Sequence, residues 1–390
     1  MMIKKRFSDV GNYYGFFKKE LEKHGQPLSY LNNCWENLES WRKKAKGKVF
    51  ELLAFEPGNA PLKATVDGLI KYDGLVIEKI SYSLPYGPRM KGLFLYPEGK
   101  NRKLPCIIAL HAHGGLKYYG KEKITGLPDE PITIKEHKKQ YYGGRSWANE
   151  IAKRGFAVLV IDVFPFGSRK VAVEALPENF RKDFEGKKKD SKEYIAAYNH
   201  FANEHEHILA KTIFTSGLTW PGIFSYEDRR SVDYVLTRKE VDPDKIGCAG
   251  LSCGGLRTIF LGGLDSRIKC AVCIGFMTTF EELLLNNVKF HTWMLYLPHL
   301  TRFMDLPDLI SLRAPLPLMV QYDTEDQLYT LKGQQNAHRK IQSIYKKTGY
   351  KSNYSGKFFP GPHKFDIKMQ EDAFAWLEKW LKTEKKTELK

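Results

Sequence analysis

The chain has 390 residues, of which 42% are hydrophobic and 13% aromatic, so it can bury an ample core in one large domain or two modest ones. Its 62 basic and 45 acidic side chains give a formal net charge of +17, which raises nucleic acid as a candidate partner. The basic residues are densest in segments 181–192 and 382–390, where acids are interleaved and aromatic side chains that could stack on bases are few. We therefore expect a solvated surface and no nucleic-acid partner.

The amino-terminal sequence lacks the pattern of an export signal. The basic residues of segment 1–6 are followed by Phe7, Ser8 and Asp9 rather than by an apolar signal core. No window of the chain approaches the roughly twenty apolar residues of a membrane-spanning helix. The sequence therefore predicts a cytoplasmic protein with no membrane partner, and it leaves the oligomeric state open.

The cysteines in apolar runs are expected to be buried thiols. Four of the six, Cys106, Cys248, Cys270 and Cys273, fall in apolar runs, and none is spaced like the framework of a secreted disulfide-rich domain. Cys270 and Cys273 match the C-x-x-C spacing of metal or redox sites. Residues three apart on a strand point to opposite faces, however, and no second pair exists.

In chain order, residues 10–56 have the spacing of amphipathic helices, and near residue 76 the pattern changes to the alternation of strands. After residue 145 strands alternate with helices, which predicts a mostly parallel sheet covered on both faces, with functional groups at the carboxyl ends of its strands. We expect residues 76–390 to form this domain and residues 1–75 to form a helical extension packed on it. The predicted strands are 76–84, 90–96, 104–111, 156–163, 246–249, 270–276, 316–322 and 357–359, and the helices of this domain are 146–154, 227–238, 334–345 and 366–382.

Segment 245–255 reads Lys-Ile-Gly-Cys-Ala-Gly-Leu-Ser-Cys-Gly-Gly, which predicts a short buried strand, a tight turn at Ser252 and a helix start. Such a reversal brings backbones close together, so Gly250 and Gly254 stand where a Cβ has no room. The turn would expose the serine Oγ, and the backbone N–H of Cys253 at the helix start could stabilise an oxyanion. We predict that this turn is a nucleophile elbow.

Candidate partners for the predicted nucleophile follow later in the chain. The apolar segment 317–322 runs into a loop with three acids, Asp323, Glu325 and Asp326. His363 lies between the last strand and the last helix, after a stiff Pro-Gly-Pro run that suits a side chain held in place. The order of nucleophile, acid and histidine is one in which serine triads occur.

His111 and His113 form an H-x-H pair at the end of an apolar strand and are followed by two glycines. The glycines would let this loop approach a substrate and present a second backbone N–H to an oxyanion. An alternative is a metal site, because metal-dependent amidohydrolases hold their metal with such a pair at a strand end. No histidine closely follows Val163, Ala249 or Phe276 at later strand ends, which disfavours a metal. We expect His111 to brace the loop through hydrogen bonds.

Together these motifs resemble α/β-hydrolases of the dienelactone hydrolase and acetyl xylan esterase-like group, which is related to the prolyl oligopeptidase superfamily. The matching segments keep the order of that group over about residues 76–380. They are segments 110–115, 161–169, 228–236 and 241–247, the turn at Ser252, and segments 326–329 and 361–365.

The resemblance implies an eight-stranded, mostly parallel α/β-hydrolase sheet and a triad of Ser252, Asp326 and His363. Asp326 is chosen among the three acids because Asp-Thr-Glu-Asp-Gln-Leu-Tyr is similar to the Gly-Thr-Lys-Asp-Pro-Leu-Phe pattern of related esterases, and because Asp323 suits the turn that ends the strand. The implied oxyanion hole consists of the backbone N–H groups of Cys253 and His113.

Two residues depart from the pattern of the group. Ala112 stands where these enzymes usually have glycine, and Cys253 stands at a position that is often small or apolar. Ala112 and Cys253 are therefore expected to affect the detailed shape of the oxyanion hole.

The implied activity is hydrolysis of carboxylic esters through an acyl-enzyme, with no cofactor and no metal. Small-molecule esters, in particular acetyl or other small acyl esters of carbohydrates, are the expected substrates. The aromatic-rich segment 276–303 is long enough to wall a pocket for them, although an aromatic stripe of this kind is more often part of the core than a ligand contact. The alternatives are a peptidase or a lactone hydrolase on the same fold, or a non-catalytic binding protein. A peptidase is less expected because the sequence has no amino-terminal segment of the size of a propeller domain. A non-catalytic binding protein is less expected because all three triad residues are present.

Overall fold

The computed structural model describes residues 8–99 and 102–383. Segment 1–6 and the part of the basic tail beyond residue 383, about which the sequence made predictions, lie outside the described residues.

The described residues form a sheet of nine strands in the order β1-β2-β3-β5-β4-β6-β7-β8-β9. The strands β1, β2, β3 and β5 pair antiparallel, whereas β5, β4, β6, β7, β8 and β9 are parallel to their neighbours. The mostly parallel sheet predicted from the alternation of strands and helices is confirmed. The strands are β1 (Thr65–Tyr72), β2 (Leu75–Tyr82), β3 (Met90–Pro97), β4 (Leu104–Leu110), β5 (Ala157–Ile161), β6 (Val241–Leu251), β7 (Ile268–Ile274), β8 (Leu318–Asp323) and β9 (Tyr354–Phe359).

Strand β1 lies within residues 1–75, which the sequence analysis had assigned to a helical extension, and it raises the strand count from eight to nine. It is an edge strand that pairs with β2 alone, and its Val66 and Leu69 are exposed. An edge strand of this kind shows no apolar alternation. The turn between β1 and β2 is Asp73-Gly74, with positive φ at both residues, as a tight two-residue hairpin requires.

Helices cover both faces of the sheet and bury a core on each. Helices α2, α8, α9, α11 and α12 pack on one face, and α4 and α13 pack on the other. The helices are α1 (Tyr14–Lys23), α2 (Leu38–Leu53), α3 (Ile132–Tyr142), α4 (Trp147–Lys153), α5 (Glu178–Arg181), α6 (Lys192–Glu204), α7 (Glu206–Thr215), α8 (Trp220–Leu236), α9 (Cys253–Leu264), α10 (Phe280–Leu284), α11 (Leu306–Ser311), α12 (Leu331–Lys347) and α13 (Ile367–Leu381).

Side chains fix where several of these helices begin. Thr219, Thr330 and Asp366 each accept a hydrogen bond from the backbone N–H three residues on, at 2.9–3.0 Å. These caps satisfy donors that have no partner inside the helix. Helix α13 therefore starts directly after the loop that carries His363.

The amino-terminal helices share the core of the sheet domain. Trp41 on α2 is fully buried and donates its Nε1–H to the Leu28 carbonyl at 2.8 Å. The Leu53 carbonyl at the end of α2 accepts a hydrogen bond from Thr219 Oγ1 at 2.6 Å, at the start of α8. Helix α2 is thus fastened to the helix that precedes the β6 strand.

Cys270 and Cys273 lie on opposite faces of β7, as their spacing predicts, and both are fully buried. Burial raises the pKa of the Cys270 thiol to about 12. Within residues 8–99 and 102–383, no helix combines the length and the apolar content that a membrane span requires.

Candidate active site

Ser252 occupies the turn between β6 and α9, with φ of 59° and ψ of −122°. A positive φ is uncommon for a residue with a side chain, and it marks a strained backbone that the surroundings must hold. The Ser252 N–H donates to the Ile274 carbonyl at 2.9 Å, which fastens the turn to β7. The tight turn from strand to helix that the sequence predicts at this position is therefore present at the carboxyl end of β6.

The two glycines that flank the turn are required by the approach of β4. A Cβ at Gly250 would lie 2.5 Å from the Leu110 carbonyl oxygen, and a Cβ at Gly254 would lie 2.1 Å from the same oxygen. Neither distance is compatible with van der Waals contact. Because only glycine fits at both positions, the loop that follows β4 comes to lie beside Ser252.

His363 is held by Asp326. The His363 Nδ1 lies 2.6 Å from Asp326 Oδ2, and Asp326 Oδ1 accepts the Leu328 N–H at 2.9 Å. A carboxylate that accepts at both oxygens requires the proton on His363 Nδ1, so in the neutral ring Nε2 is the nitrogen with a lone pair. His363 and Ser252 line the same cavity. The imidazole can therefore take a proton from a hydroxyl group in that cavity.

Asp323, the first acid of the loop, has a different set of contacts. Its Oδ2 accepts the backbone N–H of Lys364 at 3.1 Å, and its carbonyl accepts from Gln334 Nε2 at 2.8 Å. Burial raises the pKa of its carboxyl to about 7. Asp323 thus fastens the end of β8 to the residue after His363, whereas Glu325 is exposed. Of the three acids, Asp326 is the one hydrogen-bonded to the histidine.

Two backbone N–H groups in the cavity wall, those of Cys253 and His113, make no hydrogen bond within residues 8–99 and 102–383. The Cys253 N–H is the first of α9, where no acceptor exists inside the helix. On the other side, Lys123 Nζ donates to the Ala112 carbonyl at 3.0 Å and to the His113 carbonyl at 2.8 Å. A trans peptide points its C=O and N–H in opposite directions, so Lys123 keeps the His113 N–H on the side away from itself.

Lys123 is fully buried, and among the described residues its ammonium group donates to backbone carbonyls and forms no ion pair with a carboxylate. Its Nζ lies 4.4 Å from the centre of the Phe166 ring, a favourable place for a cation. Burial lowers the pKa of this ammonium group to about 7. Lys123 therefore contacts the carbonyls of Ala112 and His113 and the ring of Phe166.

Ala112 and Cys253, the two residues that differ from the pattern of the group that the sequence resembles, are both buried. Ala112 and Cys253 are 3% and 2% exposed, and Cys253 Sγ lies 3.8 Å from Met294 Sδ. The loop makes its close approach two residues after Ala112, where Gly114 has φ of 56° and a Cβ would lie 2.5 Å from His137 Cε1.

The cavity has a volume of about 370 Å³. Besides Ser252 and His363, it is lined by the loop after β4, by Glu206 at the start of α7, and by part of segment 276–303. Phe276 and Phe290 from that segment supply aromatic wall, and Thr292 supplies a hydroxyl. Phe280, Tyr296 and Phe303 pack against the core instead, as aromatic residues at this spacing more often do. The cavity is thus of small-molecule size, with both apolar and polar walls.

No protein-family model matches the chain. The chain is 23% identical over 343 residues to "Putative hydrolase YtaP" of Bacillus subtilis (strain 168), a match that covers 87% of this chain and 100% of the relative. Among solved structures, it is similar to a "putative acetyl xylan esterase" from Bacteroides fragilis NCTC 9343, with a TM-score of 0.67, 18% identity, and coverage of 90% of this chain and 84% of that one. The chain has the α/β-hydrolase fold. Other structures with the same fold are the methylesterase BT1017, with a TM-score of 0.62, 17% identity and coverage of 98% and 71%, and a glucuronoyl esterase from Solibacter usitatus, with a TM-score of 0.57, 15% identity and coverage of 87% and 93%.

In this α/β-hydrolase fold the nitrogens of His111 are used within the protein. Its Nδ1 lies 3.1 Å from the Ala112 carbonyl, and its Nε2 faces the Val163 N–H at 3.5 Å. His111 therefore braces the loop after β4 against the end of β5. Among the described residues, the group of three side chains spaced like metal ligands is Asp323, Asp326 and His363, and the H-x-H pair is not part of it.

Three residues around the α/β-hydrolase cavity were not singled out from the sequence. They are Glu206, the buried Lys123, and His291, which donates its Nε2–H to the Leu328 carbonyl at 3.1 Å. Burial lowers the pKa of His291 to about 4, so the ring is neutral near pH 7. Each is a single polar residue in a loop or at a helix end, without a motif or a periodicity that would distinguish it from a surface residue.

Proposed function

We propose that the protein is a serine esterase that hydrolyses small acyl esters of carbohydrates through an acyl-enzyme. The observation that carries the proposal is the shared cavity of Ser252 and His363. Ser252 is held at a strained turn, and the bond of His363 Nδ1 to Asp326 fixes the tautomer in which the neutral ring accepts a proton at Nε2. A hydroxyl nucleophile, a base and an acid that orients the base are the components that acyl transfer needs.

In the proposed reaction, His363 Nε2 takes the proton of Ser252 Oγ as the oxygen attacks the ester carbonyl. The negative charge that develops on the carbonyl oxygen is stabilised by the N–H groups of Cys253 and His113. His363 then gives its proton to the leaving alcohol oxygen, which leaves an acyl-serine. A water molecule then gives a proton to His363 as it attacks the acyl-serine carbonyl, and His363 returns this proton to Ser252 Oγ as the carboxylic acid leaves. Asp326 stabilises the imidazolium in both halves of the cycle.

The substrate class is supported by the size of the cavity and by the similar proteins. A volume of about 370 Å³ accommodates a short acyl group and a sugar ring better than a long chain. The structures with the same fold include proteins named for acetyl xylan and glucuronoyl esters. Both lines of support favour a carbohydrate ester, and the cavity volume favours a small acyl group.

Purified protein is expected to hydrolyse p-nitrophenyl acetate without added metal, and faster than the butyrate and octanoate esters, because the proposed machinery consists of side chains and backbone amides alone. Turnover should be the same with and without EDTA. The measurement is kcat/KM across the acyl series, followed by acetate release from acetylated sugars. Failure to hydrolyse any ester would eliminate the esterase. Loss of activity in EDTA with recovery in zinc would instead indicate a metal-dependent hydrolase and return the H-x-H pair His111 and His113 to consideration.

Lys123→Met is expected to lower the kcat for p-nitrophenyl acetate roughly ten- to hundredfold, with a smaller change in KM. The variant loses the donor that orients the Ala112 and His113 carbonyls, and removal of a single oxyanion donor costs roughly a hundred- to a thousandfold elsewhere. Effects on kcat alone identify a group that acts in the transition state, so the division between kcat and KM separates this role from general packing.

The exposed Lys135 on α3 provides the matched control. Lys135→Met should keep the wild-type kcat and KM. A folded Lys123→Met variant with unchanged kcat would show that the loop holds its orientation without the lysine.

A further inference from the structure

Glu206 is a buried carboxylate in the cavity wall that the proposed reaction does not use. It is the first residue of α7 and lines the same cavity as Ser252. Its side chain keeps 12% of its surface exposed. A charged group in such a place requires compensation from the protein, so its contacts show what remains free.

All the contacts of the Glu206 carboxylate fall on one oxygen. Oε1 accepts from Thr292 Oγ1 at 2.6 Å and lies 3.1 Å from Lys117 Nζ and 3.3 Å from His113 Nε2. His113 Nδ1 accepts the Gly115 N–H at 3.0 Å, so the ring proton is on Nε2 and His113 donates to the carboxylate. Oε2 has no hydrogen-bond partner within residues 8–99 and 102–383. It is not fully buried either, so it keeps some exposure to solvent.

The carboxyl of Glu206 is ionised near pH 7. Burial by itself raises the pKa, but the hydrogen bond from His113 and the nearby ammonium of Lys117 outweigh it and hold the pKa at about 2. An ionised carboxylate only accepts hydrogen bonds. The free Oε2 therefore needs a donor from whatever occupies the cavity.

The charges around Glu206 select the chemistry of that donor. Lys117 is itself buried and already supplies one positive charge to the carboxylate, so a second cation would be repelled by the first. A carboxylate or phosphate on the ligand would face the unshared oxygen with like charge. A neutral hydroxyl group meets neither penalty and forms a charge-assisted hydrogen bond.

We propose that Glu206 Oε2 accepts a hydrogen bond from a free hydroxyl of the substrate next to the scissile ester, so that the preferred substrates are partly acylated sugars with a free neighbouring hydroxyl. This inference rests on the proposed esterase function and specifies its substrate class. The proposed hydroxyl-binding site at Glu206 is connected to the loop after β4 through His113. The ring of His113 donates to Glu206, and its backbone N–H is one of the two proposed oxyanion donors.

The test compares two substrates in the wild-type protein and in Glu206→Gln. One substrate is a monoacetylated methyl xyloside with free neighbouring hydroxyls, and the other is the same ester with those hydroxyls methylated, which removes the donor. Wild-type protein should show a kcat/KM at least about tenfold higher for the hydroxyl substrate, as expected for a hydrogen bond to a charged group. In Glu206→Gln this preference should fall to near one, because a carboxamide that keeps its oxygen toward Thr292 and His113 presents an N–H to the ligand.

The exposed Glu204, two residues earlier, gives the matched control, and Glu204→Gln should retain the wild-type preference. The wild-type comparison alone decides the matter if Glu206→Gln does not fold, since equal rates on the two substrates overturn the subsite. An equal loss on both substrates in a folded Glu206→Gln would assign Glu206 to the support of His113 and overturn it as well. Hydrolysis of p-nitrophenyl acetate with no hydroxyl preference refutes only this inference, whereas no hydrolysis of any ester refutes the proposed function itself.

Discussion

Ser252→Ala should lower the kcat for p-nitrophenyl acetate by roughly a millionfold, the loss expected when the nucleophile of a triad that acts as a unit is removed. The Ser252 hydroxyl makes no hydrogen bond within the described residues, and alanine meets the same backbone strain at φ of 59° as serine does. The variant should therefore fold with nearly the wild-type melting temperature. Activity is measured with enough enzyme to detect the residual rate, and circular dichroism checks the fold.

The exposed Ser266, in the turn after α9, is the control for this substitution. Ser266→Ala should retain full turnover. More than a few per cent of wild-type activity in a folded Ser252→Ala protein would show that the nucleophile lies elsewhere.

Asp326→Asn should lower kcat at saturating substrate by roughly ten-thousandfold. In the variant, the amide oxygen can still accept the Leu328 N–H, which leaves the amide NH2 facing His363 Nδ1. The ring must then accept at Nδ1 and carry its proton on Nε2, where it cannot take the proton of Ser252. The loss thus follows from the wrong tautomer in a nearly unchanged structure.

Asp323→Asn is the internal comparison, and its turnover should stay near normal because Asp323 contacts the backbone of Lys364 and not the histidine. Its effect should appear in stability. The folded pKa of about 7 is above the unfolded value, so the wild-type free energy of unfolding falls as pH rises between about 4 and 7. Asparagine has no such titration, and the variant should gain stability relative to wild type across that range. A large loss of turnover in Asp323→Asn with near-normal turnover in Asp326→Asn would reverse the proposed roles.

Most of the architecture follows from patterns that lie within short stretches of the sequence. Strands β4, β5, β7 and β8 are largely buried apolar runs, whereas β9 is an edge strand with a partly exposed interior. The glycines that flank Ser252 mark the place where β4 approaches the turn. Strand β1 escaped prediction because an edge strand is paired on one side only and leaves apolar residues exposed. The Asp73-Gly74 dipeptide was the signal that could have identified it, since this pair favours a two-residue hairpin turn.

The cavity wall was less accessible to prediction than the proposed triad. Ser252, Asp326 and His363 stand in a recognisable chain order and context. The partners of Glu206 come instead from the loop after β4 and from Thr292, which are 86 or more residues away. Likewise, Lys123 looks like any other lysine of a basic chain until its carbonyl partners are known. Contacts between residues so far apart in the chain depend on the tertiary structure and produce no motif in the local sequence.

The order of the strands also determines when this cavity can exist during folding. Its walls are loops that follow β4, β6, β7, β8 and β9, and these strands are joined edge to edge in parallel, so each new wall requires another crossover to close. Contacts between residues so distant in the chain form slowly because the entropy of the intervening loop must be lost first. A nascent chain that has not yet added β9 to the sheet has no His363 to place against Asp326. The formation of the site therefore requires the parallel part of the sheet from β4 to β9 to be complete, whereas β1, β2 and β3 contribute no wall to the cavity.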